Sequence, residues 1–333
     1  MPRHALFFLF FLTNVYCAQA QDVVFSQFQA QPMLLNPALT GAAIGSRLMT
    51  AYRSQWGSAP NAHRTFFVAT DHLVEKWNSG LGISILGDDG GNGAYQQYSI
   101  GLHYAYNLTL SDKWFMAMGF ETTLNQARIN RSKLVFYDQF DAYGNVNSTA
   151  ENLPNTASRL YGDLGTGIVI YSKQFYGGVA VRHLNVPSSG VSQRDDVFAA
   201  IPIRATAHVG ANFLLPRKGY NKDKDNYYIS PNLMLTTQGA SLQVTGGATA
   251  RLSAVFVGTY LRYTPSGADA LLLHLGFQKD LVRFGYSYDY TLSALNTLGG
   301  THELTVVFNA ADSKAFKKRY NAQKYSNCMR IFR

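Results

Sequence analysis

The chain has few cysteines, few charges and no long apolar run outside its first residues. Only two Cys occur among 333 residues, Cys17 and Cys328, so no disulfide framework holds the fold. Asp, Glu, Lys and Arg together make up 15%, well below the roughly 25% of ordinary soluble domains. Past residue 20 no stretch approaches the ~18 consecutive apolar residues that a transmembrane helix needs, which excludes a helical membrane bundle. A composition that is 47% hydrophobic excludes a disordered chain. The seven His beyond residue 20 (His63, His72, His103, His183, His208, His274 and His302) show no H-x-x-x-H spacing, and no C-x-x-C exists, so no metal site is read. The glycine-rich run Gly87 to Gly93 lacks the Lys-Ser/Thr ending of a phosphate loop and reads as a turn. Neither a cofactor nor a catalytic constellation is expected.

What the chain does contain is aromatic residues, 21 Tyr and 21 Phe, spread among 29 Gly. The first twenty residues form a signal peptide: Arg3 and His4, then the apolar run Ala5 to Leu12, then Ala18-Gln19-Ala20 as a cleavage signal. Asn14-Val15-Tyr16 offers no small residue ahead of Cys17, which argues against lipidation there. The rest is expected to divide into an N-terminal segment 21–45, a body 46–309 and a tail 310–333. The tail carries a net charge of +6, leaving the body nearly neutral, so the high isoelectric point belongs to the tail. That position suits a solvated tail or a docking element for an acidic partner, and does not suit a nucleic-acid groove.

One pattern repeats through the body. In Val282 to Thr291, Phe284, Tyr286, Tyr288 and Tyr290 share one face while Arg283, Gly285, Ser287 and Asp289 share the other. Leu271, Leu273, Leu275 and Phe277 alternate likewise with Leu272, His274, Gly276 and Gln278. Period two means strands with two environments. Fourteen segments are read: 46–56, 64–73, 80–87, 94–108, 113–128, 160–171, 175–184, 204–214, 227–237, 241–252, 255–263, 269–278, 282–291 and 301–309. Most run to about 9–12 residues, the length that crosses a bilayer when tilted, against about 5–6 for soluble strands. Their connections alternate long and short. The fold class is therefore all-β: a transmembrane antiparallel barrel of about 14 strands (12–16), with short periplasmic turns and longer external loops, in the outer membrane of a Gram-negative bacterium. Apolar faces should meet lipid and the small or polar faces the lumen. Charge placed at Leu273 or Tyr286 should then be costly, and at Ser287 or Gln278 milder. Pro231, inside a strand, calls for a bulge or a different strand count.

Segment 21–45 lacks the alternation. With Pro32, Asn36, Pro37 and Gly41 it is expected to fold into the lumen or to cover the periplasmic mouth. Arg53 and Gln55 lie opposite Tyr52 and Ser54, on the luminal face, where a buried Arg needs partners such as Glu121, Asp289 or Glu303. Such a network would either stabilise the barrel interior or hold the N-terminal segment.

These residues also carry a resemblance. Phe25-Ser26-Gln27-Phe28, Pro32, Leu35-Asn36-Pro37-Ala38-Leu39-Thr40-Gly41 and Tyr52-Arg53-Ser54-Gln55-Trp56 follow one another in the order found in the PorP/SprF family of type IX secretion proteins of the Bacteroidetes. The similarity continues through His302-Glu303-Leu304 to Cys328 and Phe332, with Met329 where the family has Pro. The resemblance implies a non-catalytic outer-membrane component of protein secretion, supporting export and surface attachment of proteins such as large gliding adhesins. Its partners would be the exported protein or its C-terminal signal domain, other secretion or motor components at the periplasmic side, and membrane lipid. The alternative from another class is a porin-like or fatty-acid-type transporter with a solute path through the lumen.

Overall fold

The computed structural model describes residues 22–43, 45–57, 59, 62–140, 156–190, 200–215, 227–310 and 332. Residues 1–20, expected from the sequence to be a signal peptide, lie outside the described residues, and so do residues 311–331 and Arg333, which carry most of the charge expected for the tail.

Fourteen antiparallel strands follow one another around a closed sheet. They are β1 (Ser46–Gln55), β2 (His63–Val74), β3 (Ser79–Gly90), β4 (Tyr95–Thr109), β5 (Phe115–Asn130), β6 (Thr156–Tyr171) and β7 (Phe175–Arg182). Then come β8 (Arg204–Ala211, resuming at Phe213–Leu214), β9 (Tyr227–Gln238), β10 (Ser241–Leu252), β11 (Val255–Thr264), β12 (Gly267–Lys279), β13 (Val282–Thr291) and β14 (Thr301–Asn309). β14 pairs with β1 from Arg47↔Asn309 to Gln55↔Thr301 and closes the barrel. An even strand count places the start of β1 and the end of β14 at one rim, called here the terminal end; the long connections 131–155 and 183–203 open at the other, the loop end. The expected fold is present, with most strand bounds within three residues of those read from the alternation.

The alternation sorts the side chains as a membrane barrel requires. Leu275 and Leu102 face outward, 55% and 56% exposed, while Glu303 and Asp289 face inward and are buried. A soluble protein rarely shows a contiguous apolar surface of more than a few hundred Å². Here it wraps the whole sheet, which only lipid can cover. Aromatics mark both rims of this surface: Phe277, Phe284 and Phe308 toward the terminal end, Tyr52, Tyr263 and Tyr290 toward the loop end.

Pro231 needs neither a bulge nor a changed count. The β8–β9 register is unbroken, Asn232↔Gly210 on one side and Ile229↔Phe213 on the other, which sets Ala211 across from Pro231. Pro231 has no N–H to offer, and the Ser230 hydroxyl donates to the Ala211 carbonyl at 2.7 Å instead. The cost is the interruption of β8 after Ala211. The register shift that is present lies elsewhere, at Arg262/Tyr263 between β11 and β12.

Residues 22–43 lie inside the barrel. Their regular structure is a single helical turn, α1 (Pro32–Leu35), and a 3-10 turn at Pro37–Leu39. Asp22 stands at the loop end, against Arg204 at the start of β8 and Gln238 at the end of β9. Gly41 stands at the terminal end, against Asp71. The even strand count fixes where β1 begins but says nothing of the chain before it, and that chain runs the length of the lumen. Phe332, near the end of the tail, is also buried, 2% exposed, and packs in one cluster with Leu39, Tyr171 and Tyr176. At that residue the tail is not a solvated extension.

Candidate functional site in the lumen

The residues singled out from the sequence fall into two groups. Phe25, Ser26, Gln27, Asn36, Pro37, Gly41, Arg53, Glu121, Asp289 and Glu303 meet inside the lumen. Tyr52, Gln55 and Trp56 take no part in this network: Tyr52 faces outward, 46% exposed, Gln55 ends β1, and Trp56 leaves the strand with a positive φ of 57°.

The centre of the site is a buried carboxylate, Glu303 on β14. Its two oxygens accept the main-chain N–H groups of Ser26 (2.8 Å) and Gln27 (2.9 Å). Arg53 on β1, opposite Glu303 in register, donates to the same carboxylate at 3.3 Å, to Asp289 on β13 at 3.5 Å and to the Ser26 hydroxyl at 2.9 Å. Ser26 in turn donates to Asp289 at 2.6 Å. Gln27 is read by the strand itself: its amide donates to the Glu303 carbonyl at 3.3 Å and accepts from the Thr305 hydroxyl at 2.9 Å. Arg262 on β11 adds a second cation, donating to Asp289 at 3.1 Å and to Asp269 at 2.7 Å. The two residues Ser26-Gln27 thus supply several of the donors and acceptors of a buried Arg–Glu–Asp group, in which Arg53 Nε and one Asp289 oxygen stay unpartnered, and Phe25 packs beside them on Phe67, ring centroids 6.1 Å apart. Ionic groups this far from water are tolerated when they are paired and hydrogen-bonded, as Arg53 is with Glu303 and Asp289.

Asn36 and Pro37 do local work as well as docking. The Asn36 side chain accepts from Ala38 N–H at 2.9 Å and caps the 3-10 turn, with Pro37 at its first position. Its amide also donates to the carbonyls of Ile168 (3.2 Å) on β6 and Val179 (3.0 Å) on β7. Gly41 turns the chain with φ of 70°, a conformation open to Gly, and donates its N–H to Asp71 at 2.7 Å. Glu121 on β5 does not pair with Arg53. It lies across the lumen, bound to Arg182 on β7 (2.9 Å) and near His103 on β4 (3.3 Å), and Arg182 donates also to the Met33 carbonyl at 2.9 Å. A single strand shows which face a residue takes but not which distant strand faces it, so Glu121 was grouped with the wrong arginine.

Several anchors were not singled out from the sequence. Arg47 and Asp71 form a fully buried pair at the terminal end, Arg47 Nε donating to Asp71 at 3.0 Å. Parity carried the signal for Arg47, which shares a face with Arg53 six residues on. At the loop end Asp22 meets Arg204 (3.3 Å) and His183 (2.8 Å), and His183 lies 2.9 Å from Asp163. Burial alone would raise the Asp22 carboxyl, but the His183 hydrogen bond and the Arg204 charge outweigh it and hold it well below the usual range. For His183, burial would lower the imidazole, while its hydrogen bonds to Asp163 and Asp22 raise it to about 9. A raised histidine contributes fully below its ordinary value of 6.5, and that contribution is lost as pH rises through about 9. Protease access to the Asp22 end should therefore increase between pH 8 and 10 in the native protein. In His183→Gln the access should be high throughout and flat with pH.

Two gaps between the segment and the wall are narrow. Near the loop end the gap lined by Val23, Phe28, Leu35, Arg204 and Met234 holds about 20 Å³, and at the terminal end the gap lined by Gly41, Leu73, Asn78 and Tyr171 holds about 10 Å³. A water needs roughly 10–15 Å³ measured this way, so each gap admits about one. Several of the small luminal residues lie directly under the segment, Gly82 against Met33, Gly167 against Asn36 and Gly285 against Gln27. At Gly119 on β5 a Cβ would overlap the Pro37–Ala38 backbone. Gly119→Val should leave a folded barrel and lift the segment, at a cost of about 1–3 kcal/mol for the overpacked contact. Limited proteolysis cutting within 22–43 while the barrel remains intact is the expected readout.

With this geometry in place, comparison with known proteins is decisive at the level of the family. The family of the type IX secretion system membrane protein PorP/SprF matches residues 17–308. The chain belongs to the PorP/SprF family. Type IX secretion and an outer-membrane location follow for it at that level. No curated protein matches the sequence. Among solved structures the chain is similar to the Pseudomonas putida toluene transporter TodX, at 7% identity and a TM-score of 0.48, covering 87% of this chain and 98% of that one. It is also similar to the Ralstonia pickettii toluene transporter TbuX, at 11% identity and a TM-score of 0.47, covering 83% and 91%. A Pseudomonas aeruginosa FadL homologue stands at 10% identity and a TM-score of 0.43, covering 82% and 92%.

Proposed function

We propose that this PorP/SprF protein is a closed, non-catalytic barrel of the type IX machine that supports secretion and surface attachment of exported proteins, large gliding adhesins among them. The family match carries the secretion reading. The filled lumen supports a protein-binding role over a solute path, since the chain's own segment, held by buried ion pairs, occupies the route a solute would take. The terminal end faces the periplasm, where other secretion or motor components meet it. The long loops face outward, toward the exported protein or its C-terminal signal domain. The segment 21–45 is a luminal plug, anchored by Ser26, Gln27, Arg53, Asp289 and Glu303.

Deletion of the gene tests this. Surface-exposed secreted proteins should disappear from whole cells while uptake of small solutes is unchanged. The purified protein should be electrically silent in planar bilayers. A steady conductance from the native barrel, with surface proteins retained in the deletion strain, would instead establish the porin-like or fatty-acid-type transporter.

A further inference from the structure

The terminal end of the lumen holds one arginine to which three separate parts of the chain are bound. Arg47 on β1 is 1% exposed. Its Nε and one terminal nitrogen grip the Asp71 carboxylate on β2. That same nitrogen reaches the Leu39 carbonyl of the luminal segment at 3.5 Å. The remaining terminal nitrogen donates to the main-chain carbonyl of Phe332. The Phe332 ring stands edge-on to Tyr176 of β7, centroids 5.1 Å apart and planes at 70°. Asp71 in turn accepts the Gly41 N–H at 2.7 Å.

We propose that this end of the barrel is a binding site for an aromatic residue and its main-chain carbonyl, filled in cis by Phe332, and that Arg47–Asp71 couples its occupancy to the seating of the luminal segment. The two halves of the recognition are an aromatic pocket against Tyr176 and Leu39 and a buried guanidinium aimed at a main-chain carbonyl. The coupling follows from donor accounting. A guanidinium has five N–H donors and no acceptor, and a buried one is stable only when its donors are met. With Phe332 seated, every nitrogen of Arg47 has an acceptor. With Phe332 withdrawn, one nitrogen faces an empty pocket, and the pair that also holds Leu39 and Gly41 is weakened. Coupling of this kind is reciprocal, so a partner that withdraws Phe332 from this site loosens the segment, and loosening the segment releases Phe332. The inference goes beyond the secretion reading and holds whatever the barrel's task is.

The test uses the full chain folded in detergent. Carboxypeptidase Y followed by intact-mass measurement should release Arg333 from the native protein and stall at Phe332. Phe332→Ala should be trimmed past that position at least tenfold faster, and Phe332→Tyr should stall as the native chain does. In the same proteins, hydrogen exchange at Gly41 and Ala42 should be at least tenfold faster in Phe332→Ala, with strand Val282–Thr291 unchanged as the control for folding. Native trimming as fast as that of Phe332→Ala overturns the site. A stall at Phe332 with unchanged exchange at Gly41 overturns the coupling. Phe332 lies outside the fourteen strands, and the Val282–Thr291 control reports any failure of the barrel to fold.

Discussion

A Glu303→Ala barrel should conduct ions where the native one is silent. Glu303 is 0% exposed and is the point at which the luminal segment, β1 and β14 meet. Removing its carboxylate leaves the N–H groups of Ser26 and Gln27 without acceptors, and leaves Arg53 with Asp289 and the Ser26 hydroxyl alone. An unmatched buried hydrogen-bonding group costs about 1–3 kcal/mol, and breaking one side of a buried ion pair about 3–5 kcal/mol. The loss falls almost wholly on the segment, because the β14–β1 backbone ladder does not use the side chain. The barrel should therefore still fold, migrating differently on gels before and after heating, while residues 22–43 become open to protease and single-channel steps appear in planar bilayers. Glu303→Gln keeps an acceptor but loses the charge, and its open probability should lie between the two. A folded, protease-resistant and silent Glu303→Ala protein would show that the segment is held by its apolar contacts and not by this network.

The barrel was legible because its physics is local. Period-two alternation fixes a strand and its two faces from a dozen residues, and fourteen repeats in antiparallel order leave one closed arrangement. The interior was less legible because it depends on which strands face each other across the lumen. Arg53 and Glu303 are neighbours in register on β1 and β14, so their pairing lay within reach of the sequence. Glu121 with Arg182, and Asp22 with Arg204 and His183, are not register partners on paired strands. No periodicity in the sequence encodes those distances. The path of the segment was hidden for a related reason: Pro32, Asn36, Pro37 and Gly41 announce turns, but the strip of small luminal residues that receives them, Gly119 included, is assembled only by the closed barrel. From the alternation alone, charge on that face is expected to be mild. The packed segment shows that the luminal face is a contact surface.

That correction changes what charge substitutions should do and gives the second large effect. Leu273→Arg on β12 places a guanidinium on a face where Leu273 is 47% exposed among Leu275, Tyr288 and Tyr286 on the neighbouring positions. Near the bilayer midplane such a charge costs roughly 2–4 kcal/mol, and no luminal group can reach it. Assembly should fall, with less heat-modifiable protein in the outer-membrane fraction. Ser287→Arg on β13 alters a residue that is 0% exposed and pairs in register with Glu303. It adds a second guanidinium beside Arg53, in space the segment occupies. It should therefore be costly too, against the milder effect the alternation alone suggests, but in a different place. The barrel should assemble at near-native yield and the segment should be displaced, giving protease cuts within 22–43 and conductance. Two defects separable in this way, one in the amount of barrel and one in the state of the lumen, are what distinguish a lipid face from a packed interior. If both variants lose assembly alike and neither exposes the segment, the inward face of β13 is part of the barrel's own folding core and the segment is secondary to it.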